Sequence, residues 1–532
     1  MGITRRALFV NGLRLAGGLA LASCAPTGPA ASSTAPTAAA SAGDGIKRGG
    51  TLVYADWADA TTLDPAFMRN QSGRRPGKAI FDSLVEIDAK GTIIPKLAES
   101  WDVPDPKTYV LHLRKGVKFH DGTPFDAEAV KFNMDRFVDP KVKSQHSSEL
   151  DNLAGVDVVD TYTVRYRLKA ASAAFLPLVY DWNGFISSPT ALKKWGDNDY
   201  GVHPVGAGPF KFVEHQDAVH TVIERNPDYW DKGKPYLDRI EFKPILNDST
   251  REVEVRSGTS HIADQMPFQD VEKLKAMKEI VLVEVPGAKI YLPYWQVDQS
   301  PYGKSLEFRQ ALNWLIDREA IWSSVFFKTG AIGYDPFIPG TPFADPSYKP
   351  FTHNVDKAKA LLDQAYKSGV PSSASFTMYT DEEPVSQKLC QIVQANYADV
   401  GIKVTLQNEA QAARTAREKK GDFVFSLNSL SWVGYRPDPA QYLARYWHST
   451  TKYIPWPIKD AEIDRLIDTG AAETDLAKRK ALYRQLADRI NQLAPTIFLA
   501  YGSDIKALSP RVKNFAPHPD QVVRFTDMWL DQ

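Results

Sequence analysis

The chain has 532 residues, which is too long for one ordinary hydrophobic core, so two or three domains are expected. Hydrophobic residues make up 43% and charged residues 24% of the sequence, as is typical of a soluble globular protein. The 64 Lys and Arg residues balance the 64 Asp and Glu residues, and this zero net charge argues against a nucleic-acid-binding protein, which normally carries a basic excess.

The first residues have the form of an export signal. Arg5 and Arg6 precede an apolar run at 15–22 that is too short to span a bilayer. The sequence LASC, which ends at Cys24, resembles the lipobox of bacterial lipoproteins, whose cysteine becomes the lipidated first residue of the mature chain. Residues 1–24 are therefore predicted to be a lipoprotein signal peptide, with a plain secretory signal as the alternative. TRRALF also resembles a twin-arginine signal, so the export route stays open.

Residues 25–47 are predicted to be a flexible tether, because the run is rich in Ala, Ser, Thr and Pro and lacks aromatic residues. Lipid on Cys24 would hold the chain at a membrane, so the body is expected in a periplasm or at a cell surface. No later window reaches transmembrane length. The other cysteine, Cys390, lies in a helical pattern and is predicted to pack in a core.

The first half of the folded chain is predicted to contain several strands. TLVYADW predicts a strand, and a hairpin is expected around Lys90, followed by a short helix over LAESWDV. Tyr109 and Leu111 recur at the two-residue period of a half-buried strand. Asp126 is placed to cap a helix, and a second hairpin is predicted to turn at Asp160.

The second half is predicted to be richer in helices. SLEFRQALNWLIDREAIWSSVFF has apolar residues at helical spacing, and a later helix is expected between Asn354 as N-cap and Gly369 as its stop. SASFTMYT and GIKVTLQN flank the helix that contains Cys390, which gives the strand–helix–strand unit of a parallel sheet. Two further helices and a returning strand, TIFLAYGSDIKALS, complete a mixed α/β pattern.

Five long motifs resemble one family, the extracytoplasmic solute-binding proteins of peptide, nickel and opine ABC importers. They are LAESWDVPDPKTYVLHLRKGVKFHDGTPFDAEAVKFNMDR, PVGAGPFKFVEH, ERNPDYWDKGKPYLDRIEFKPI, FRQALNWLIDREAI and DKAKALLDQAYKSG. The resemblance covers residues 49–530 in order. It implies a two-lobed α/β fold of the periplasmic-binding-protein type (type II), with an extra subdomain and a hinge between the lobes.

The resemblance also implies boundaries and a mechanism. A solute is expected to bind between the lobes and to be engulfed when they close, and the closed form then docks on the permease and ATPase subunits. The expected parts are lobe I at 48–85, 205–295 and 501–532, its extra subdomain at 86–204, and lobe II at 296–500.

The loop SWVGYRPDP departs from the pattern of the family's peptide-binding members. Trp432 and the pair Asp438–Pro439 match that pattern, but Tyr435 stands where those members carry the aspartate that pairs with a peptide α-ammonium. A phenol cannot supply that charge, and an unpaired buried ammonium is costly. Arg436 favours a carboxylate or phosphate, unless it points to solvent or pairs with Asp438.

Cleft residues are expected in five segments, and for each single aromatic the alternative is core packing. As a group they fit a cleft lined by aromatic rings and a few polar groups. The candidate ligand-binding residues are Asp56, Trp57, Trp182, Tyr291, Tyr294, Trp432, Val433, Tyr435, Arg436 and Tyr501.

No catalytic, cofactor or metal constellation is recognised in the sequence. His120 and Asp121 are adjacent but lack further ligands at metal spacing, so no enzyme activity, cofactor or metal is expected. The expected partners are a small solute, an ABC permease and ATPase, and a membrane through Cys24, with no nucleic acid, and the chain is expected to be a monomer. The solute class stays open between peptide, opine and sugar, and a ligand-presenting role beside a membrane sensor is the alternative to import.

Overall fold

The structure is a computed structural model that describes residues 45–431, 438–451 and 458–531. Its helices are α1 (Gln71–Ile80), α2 (Ala127–Val138), α3 (Phe175–Leu178), α4 (Pro189–Asp199), α5 (Asp248–Ser257), α6 (Val271–Lys275), α7 (Pro301–Lys304), α8 (Leu306–Leu315), α9 (Arg318–Ser324), α10 (Val355–Lys367), α11 (Pro384–Ala398), α12 (Gln411–Lys419), α13 (Ala440–Trp447), α14 (Ala461–Ala472) and α15 (Leu476–Leu493). Short 3₁₀ helices cover Ser147–Leu150, Trp182–Gly184, Tyr200–Val202 and Phe268–Asp270.

The strands are β1 (Thr51–Asp56), β2 (Val85–Ile87), β3 (Ile93–Pro95), β4 (Ala98–Asp105), β5 (Thr108–Leu113), β6 (Leu153–Asp160), β7 (Thr163–Leu168), β8 (Phe210–Gln216), β9 (His220–Arg225), β10 (Arg239–Pro244), β11 (Ile262–Ala263), β12 (Val281–Trp295), β13 (Ala331–Ile332), β14 (Ser375–Thr380), β15 (Lys403–Asn408), β16 (Phe425–Ser431), β17 (Ala500–Leu508), β18 (Val512–Lys513) and β19 (Trp529–Leu530).

One 11-stranded sheet runs through the fold in the order β15-β14-β16-β12-β17-β11-β1-β10-β9-β8, with β13 paired to β17. We call β8, β9, β10, β1 and β11 half-sheet A, and β14, β15 and β16 half-sheet B. Strands β12 and β17 are antiparallel neighbours that join the two. Their register shifts between Val285 and Lys289, which marks an irregularity where the strands pass from half-sheet A to half-sheet B.

Strand directions place the carboxyl ends of the two half-sheets opposite each other. Strand β12 runs from half-sheet A towards half-sheet B, and β16 is antiparallel to it, so β16 and its parallel neighbours β14 and β15 point back. Strands β1, β10 and β11 are mutually parallel and antiparallel to β17, so they point towards half-sheet B. Ligands of open α/β sheets bind outside the carboxyl ends of the strands, which directs attention to the space between these two edges.

A separate four-stranded antiparallel sheet, β4-β5-β7-β6, shares a core with α2, α3 and the 3₁₀ helix Ser147–Leu150, and we call this part of the fold the four-stranded unit. Tyr109, Leu111 and Leu113 of β5 are buried on one face, which confirms the predicted alternation. The short helix expected over LAESWDV is wrong, because this stretch forms β4, with Trp101 opposite Leu111 of β5. Pairing with β5 supplies backbone hydrogen bonds that outweigh a weak local helix preference.

Local signals for helix ends are largely confirmed. The side chains of Asp126 and Asn354 accept hydrogen bonds from backbone amides in the first turns of α2 and α10, and Gly369 follows α10 with a φ of +100°. The parallel pair β14–β15 around α11 is also confirmed. The helical pattern at 305–327 is divided into α8 and α9, because Asp317 caps a new helix by accepting from the Ala320 amide at 2.9 Å.

Cys390 is fully buried in the core of half-sheet B, as expected. Burial raises the pKa of its thiol to about 12, so the reactive thiolate is disfavoured. Within the three described ranges, none of the helices combines the length and apolar character needed to cross a membrane.

Candidate functional site

A cavity of about 730 Å³ lies between the four-stranded unit and the helices that follow half-sheet B. The wall from the four-stranded unit consists of Gln145, Ser148, Glu149, Leu150, Asp151, Asn152, Leu153, Leu168, Ser172, Ala174, Phe175 and Leu178. The opposite wall consists of Ala440, Gln441, Ala444, Arg445, Thr450, Thr451 and Ala471.

Between described residues, two hydrogen bonds join the two sides of this cavity. The Ala173 amide donates to the Ala471 carbonyl at 2.8 Å, and the Gln441 side chain donates to the Glu149 carbonyl at 3.4 Å. These hydrogen bonds join segments that lie far apart in the chain, since Gln441 and Glu149 are separated by 292 residues. The cavity can exist only when the four-stranded unit and α13 are close.

Glu149 brings a negative charge to the wall of this cavity. Its side chain is 7% exposed, and its Oε2 accepts hydrogen bonds from Trp182 Nε1 at 3.1 Å and Asn183 Nδ2 at 2.6 Å. His146 Nδ1 lies 3.3 Å from the other oxygen. The expected site residue Trp182 is thus placed behind the cavity wall, where it orients a carboxylate.

A buried arginine supports this arrangement from behind. The His146 ring stacks on Trp182 with centroids 4.3 Å apart, and the Arg74 guanidinium lies 5.3 Å from the Trp182 ring. Arg74 donates to Asp181 at 2.7 Å and lies 3.5 Å from Asp520. Burial is the largest single influence and disfavours the charged guanidinium, but Asp181, Tyr180 and Asp520 together outweigh it, so the pKa of Arg74 lies above its ordinary value.

Asp56, at the carboxyl end of β1, belongs to a second buried charge cluster. Arg75 donates to Asp56 at 2.7 Å and forms an ion pair with Asp264, which follows β11. Lys506 of β17 pairs with the same Asp264 and lies 2.7 Å from Asp504. Burial disfavours the charged form of Arg75, yet Asp264 and Asp56 raise its pKa well above the ordinary value. Asp56 is therefore held at the edge of half-sheet A by a cation of the protein itself.

The other aromatic candidates lie in different surroundings. Trp57 is half-buried after β1, and within the described residues its Nε1 has no hydrogen-bond partner. Tyr291 donates to Glu383 at 3.2 Å, and the same carboxylate pairs with Lys289 at 2.6 Å. These groups lie where β12 enters half-sheet B.

Tyr294 and Tyr501 are fully buried in the core next to α13 and α15. The Tyr294 ring packs edge-on against Phe423, and the Tyr501 hydroxyl donates to the Asp335 carbonyl at 2.6 Å. Among the candidates that the structure describes, no single cluster is formed. Trp182 lies beside the cavity, whereas the other described candidates lie along β12 and β17 and at the edge of half-sheet A.

Trp432, Val433, Tyr435, Arg436 and Cys24 lie outside the described residues, so their expected roles stay predictions. The positions on either side of this loop are described. Strand β16 ends at Ser431, and Arg479 binds Asp438 through two hydrogen bonds, one of them 2.8 Å long. Asp438 also accepts from the Ala440 amide at 2.9 Å. Asp438 is thus bound both to the first residue of α13 and to Arg479 of α15.

Glu149, Gln441 and Arg445 were not among the residues expected from sequence. SQHSSELDNL carries no motif, and Glu149 joins α13 only through the tertiary contacts of the cavity. A buried acid at the end of a short 3₁₀ helix leaves no periodic signal.

One group of described residues has the spacing of a metal site. Ligand atoms of Asp59, His215 and Asp217 lie within 4.8 Å of one another. Asp59 already accepts from the Ala218 amide at 2.7 Å, and His215 Nε2 lies 3.0 Å from Asp217. Hydrogen bonds of a surface turn account for this arrangement without an ion.

A family model for bacterial extracellular solute-binding proteins, family 5 (middle region), matches residues 92–453. The glutathione-binding protein GsiB of Pectobacterium atrosepticum is 29% identical over 482 residues, which cover 89% of this chain and 92% of that protein.

Two solved structures are similar over the same length. The periplasmic binding protein DppA of Helicobacter pylori, in complex with the peptide STSA, has 27% identity and a TM-score of 0.77, covering 91% of this chain and 99% of that chain. AgaA of A. tumefaciens R10, in complex with agropinic acid, has 29% identity and a TM-score of 0.76 with the same coverage. The matches confirm the resemblance and the two-lobed α/β fold, and the chain belongs to the bacterial extracellular solute-binding proteins of family 5.

Proposed function

We propose that this protein captures a peptide-like or opine-like solute between two closing lobes and delivers it to the permease and ATPase of an ABC importer. The cavity of about 730 Å³ between the four-stranded unit and α13 carries this proposal. Small-molecule sites commonly enclose about 300–1,000 Å³, so the cavity has room for a solute of a few residues. Both walls contain apolar and hydrogen-bonding groups, as a peptide or opine requires.

The relatives support this solute class. GsiB is a glutathione-binding protein, DppA was solved in complex with a tetrapeptide and AgaA in complex with agropinic acid. All three are small molecules with amide or acidic groups. These relatives support the solute class, and the cavity supports the place of binding.

The proposed lobes keep the boundaries expected from the sequence, with β12 and β17 as the hinge. A solute that converts a mostly open protein into a mostly closed one must bind the closed form about 10⁴-fold more tightly. Because the cavity walls come from the proposed extra subdomain of lobe I and from the proposed lobe II, a solute placed there contacts both and favours the closed form.

We also propose that the loop at 432–437 contacts the solute through Trp432, Val433, Tyr435 and Arg436. This loop follows the carboxyl end of β16 and directly precedes α13, which forms one wall of the cavity. The role of the loop in binding is supported by its position between β16 and this wall of the cavity.

Export and anchoring through Cys24 complete the proposal. The tether at 25–47 would let the body diffuse near the membrane while a lipid keeps it there. Metabolic labelling with a radioactive fatty acid should mark the wild-type protein and not the Cys24→Ala variant. Equal labelling of both would contradict lipidation at Cys24 and leave solute capture unaffected.

A thermal-shift screen tests the proposed function. The purified protein is heated with glutathione, the peptide STSA, agropinic acid or maltotriose, each over a range of concentrations. A peptide or opine should raise the melting temperature as its concentration rises, by mass action. A response to maltotriose alone would favour a saccharide-binding protein, and no response to any peptide or opine would overturn the proposed solute class.

A further inference from the structure

A second cavity, of about 520 Å³, is lined almost entirely by residues of the proposed lobe II, and we call it the lobe II cavity. The described residues that line it and those that line the cavity beside α13 do not overlap, so the two are separate. Much of its wall is aromatic. The aromatic residues are Trp322, Tyr334, Phe337, Tyr348 and Tyr501.

Asp335 brings a buried carboxylate to this wall, with 8% of the residue exposed. Its main-chain carbonyl accepts from the Tyr501 hydroxyl at 2.6 Å, and its Oδ1 accepts from the Phe337 amide at 2.8 Å. Among the described residues, no donor bonds to its Oδ2. The carboxylate is therefore fixed in place with one oxygen left for a donor that enters the cavity.

Asp335 differs from the other buried aspartates because it has no counter-ion within the described ranges. Each of the others forms an ion pair with a Lys or Arg side chain; they are Asp56, Asp64, Asp82, Asp181, Asp264, Asp381, Asp504 and Asp520. Burying a carboxylate without positive charge is costly, and burial accordingly raises the pKa of Asp335 to about 7. A group of this kind in a cavity is a candidate for ligand binding.

The positive groups near Asp335 leave its charge uncompensated. Arg484 pairs instead with Asp345, at 2.6 Å. Lys349 lines the cavity but is exposed, and with the residues that the structure describes it forms no ion pair. Glu319 and Asp345 add two acids to the lining. The lobe II cavity therefore favours a positively charged ligand.

We propose that the lobe II cavity binds a small primary amine as its ammonium ion, which donates to Asp335 Oδ2 while the apolar body of the amine lies among the aromatic rings. A primary ammonium has three donors, whereas a quaternary ammonium has none for this oxygen. The volume lies within the range of about 300–1,000 Å³ that is usual for small-molecule sites. This ligand is distinct from the imported solute, so the inference does not depend on the solute class.

Isothermal titration calorimetry with phenethylamine at pH 8 tests the inference. At this pH the amine is protonated, as a Lys side chain is, and Asp335 is mostly ionised. Two compounds of similar shape are the controls: 2-phenylethanol has no charge, and 3-phenylpropanoate has the opposite charge. The amine should bind the wild-type protein saturably. The alcohol should bind at least about 10-fold more weakly, the usual effect of losing a hydrogen bond between charged groups, and the anion should not bind.

Asp335→Asn should lose at least about 10-fold in affinity for phenethylamine, for the same reason. The amide oxygen can still accept from the Phe337 amide, so the fold should be preserved, and the melting temperature without ligand checks this. The matched control is Glu319→Gln, which removes the same charge from an exposed position on the lining of the same cavity. It should bind phenethylamine as the wild-type protein does.

Three results would overturn the inference: no saturable binding of phenethylamine to the wild-type protein, equal affinity for the amine and the alcohol, or an unchanged affinity in Asp335→Asn, which would place the amine elsewhere. If Asp335→Asn does not fold, the comparison of the three compounds on the wild-type protein still decides. None of these results bears on solute capture, which the thermal-shift screen tests with other compounds.

Discussion

Gly287 of β12 lies directly against the backbone of Gly502 on β17. A Cβ atom built on Gly287 would lie 1.3 Å from the Gly502 carbonyl oxygen. The contact falls between Val285 and Lys289, where the register of the two strands shifts. The two strands that join the half-sheets therefore approach each other so closely that position 287 has room for glycine and for no residue with a Cβ atom.

Gly287→Ala should consequently destabilise the protein by about 1–3 kcal/mol, since overpacking forces backbone shifts of this kind. Unfolding in urea, followed by tryptophan fluorescence, measures the change. Gly502→Ala is the matched control, because its nearest contact is a ring carbon of Tyr291 at 3.1 Å, so a shift of a few tenths of an ångström relieves it, whereas Gly287→Ala meets backbone at 1.3 Å. If both substitutions lowered the free energy of unfolding equally, the backbone contact at Gly287 would not be the cause of the loss of stability.

Removing Arg75 should leave two buried carboxylates without their shared cation. Asp56 and Asp264 both pair with Arg75, and all three side chains are almost completely buried. Arg75→Met should therefore lower the free energy of unfolding by about 3–5 kcal/mol, the usual effect of breaking a buried ion pair from one side. Urea unfolding provides the measurement.

The control for Arg75 is Arg167→Gln. Arg167 pairs with Asp157 at 2.7 Å on the surface of the four-stranded unit, and both side chains are well exposed. Exposed pairs contribute little to stability. If Arg167→Gln lowered the free energy of unfolding as much as Arg75→Met does, burial would not be the reason for the large effect expected at Arg75.

Asp335 should make stability fall as the pH rises. Burial raises the pKa of this carboxyl to about 7, although the Phe337 amide donates to it and opposes the shift. The folded protein then binds a proton that the unfolded chain releases near its ordinary pKa of about 3.9. The stabilising contribution is complete below that pKa and is lost as the pH rises through 7.

Asp335→Asn should abolish this dependence, because the amide carries no charge and its oxygen can still accept from the Phe337 amide. Relative to the wild-type protein, the variant should gain melting temperature at pH 8 and gain less at pH 5. A difference between the two proteins that stays constant from pH 5 to pH 8 would show that Asp335 does not titrate in this range.

Trp432→Ala should abolish binding of whichever solute the thermal-shift screen identifies, while the melting temperature without solute stays close to that of the wild-type protein. Trp447→Ala provides the contrast. Trp447 is fully buried and packs against Phe498 with ring centroids 5.7 Å apart, so its removal should lower stability by about 3–5 kcal/mol. Loss of the fold in Trp432→Ala would instead make Trp432 a core residue.

Features with a local cause were predictable from the sequence. The caps at Asp126 and Asn354 depend on hydrogen bonds to amides three residues ahead, and the alternation in β5 follows from one buried face. The parallel unit around α11 likewise follows from its own strand–helix–strand pattern.

Features that depend on distant partners were not predictable in this way. LAESWDV becomes a strand because β5 lies beside it, and Asp56 is neutralised by an arginine 19 residues away. Glu149 acquires its place only when Trp182, Asn183 and α13 are assembled around it. No pattern of residue types in the sequence reveals such contacts. The sequence therefore pointed mainly to aromatic residues as site candidates and not to Glu149.

The bonds that Asp438 makes to Arg479 have a consequence for protein engineering. The loop at 432–437 begins directly after a strand of the central sheet and ends at a residue ion-paired to the long helix α15. Six residues can thus be exchanged between two fixed attachment points while the scaffold keeps its own contacts. A library randomised only at 432–437, with Ser431, Asp438 and Arg479 left unchanged, is the most economical source of binding proteins with new solute preferences on this framework.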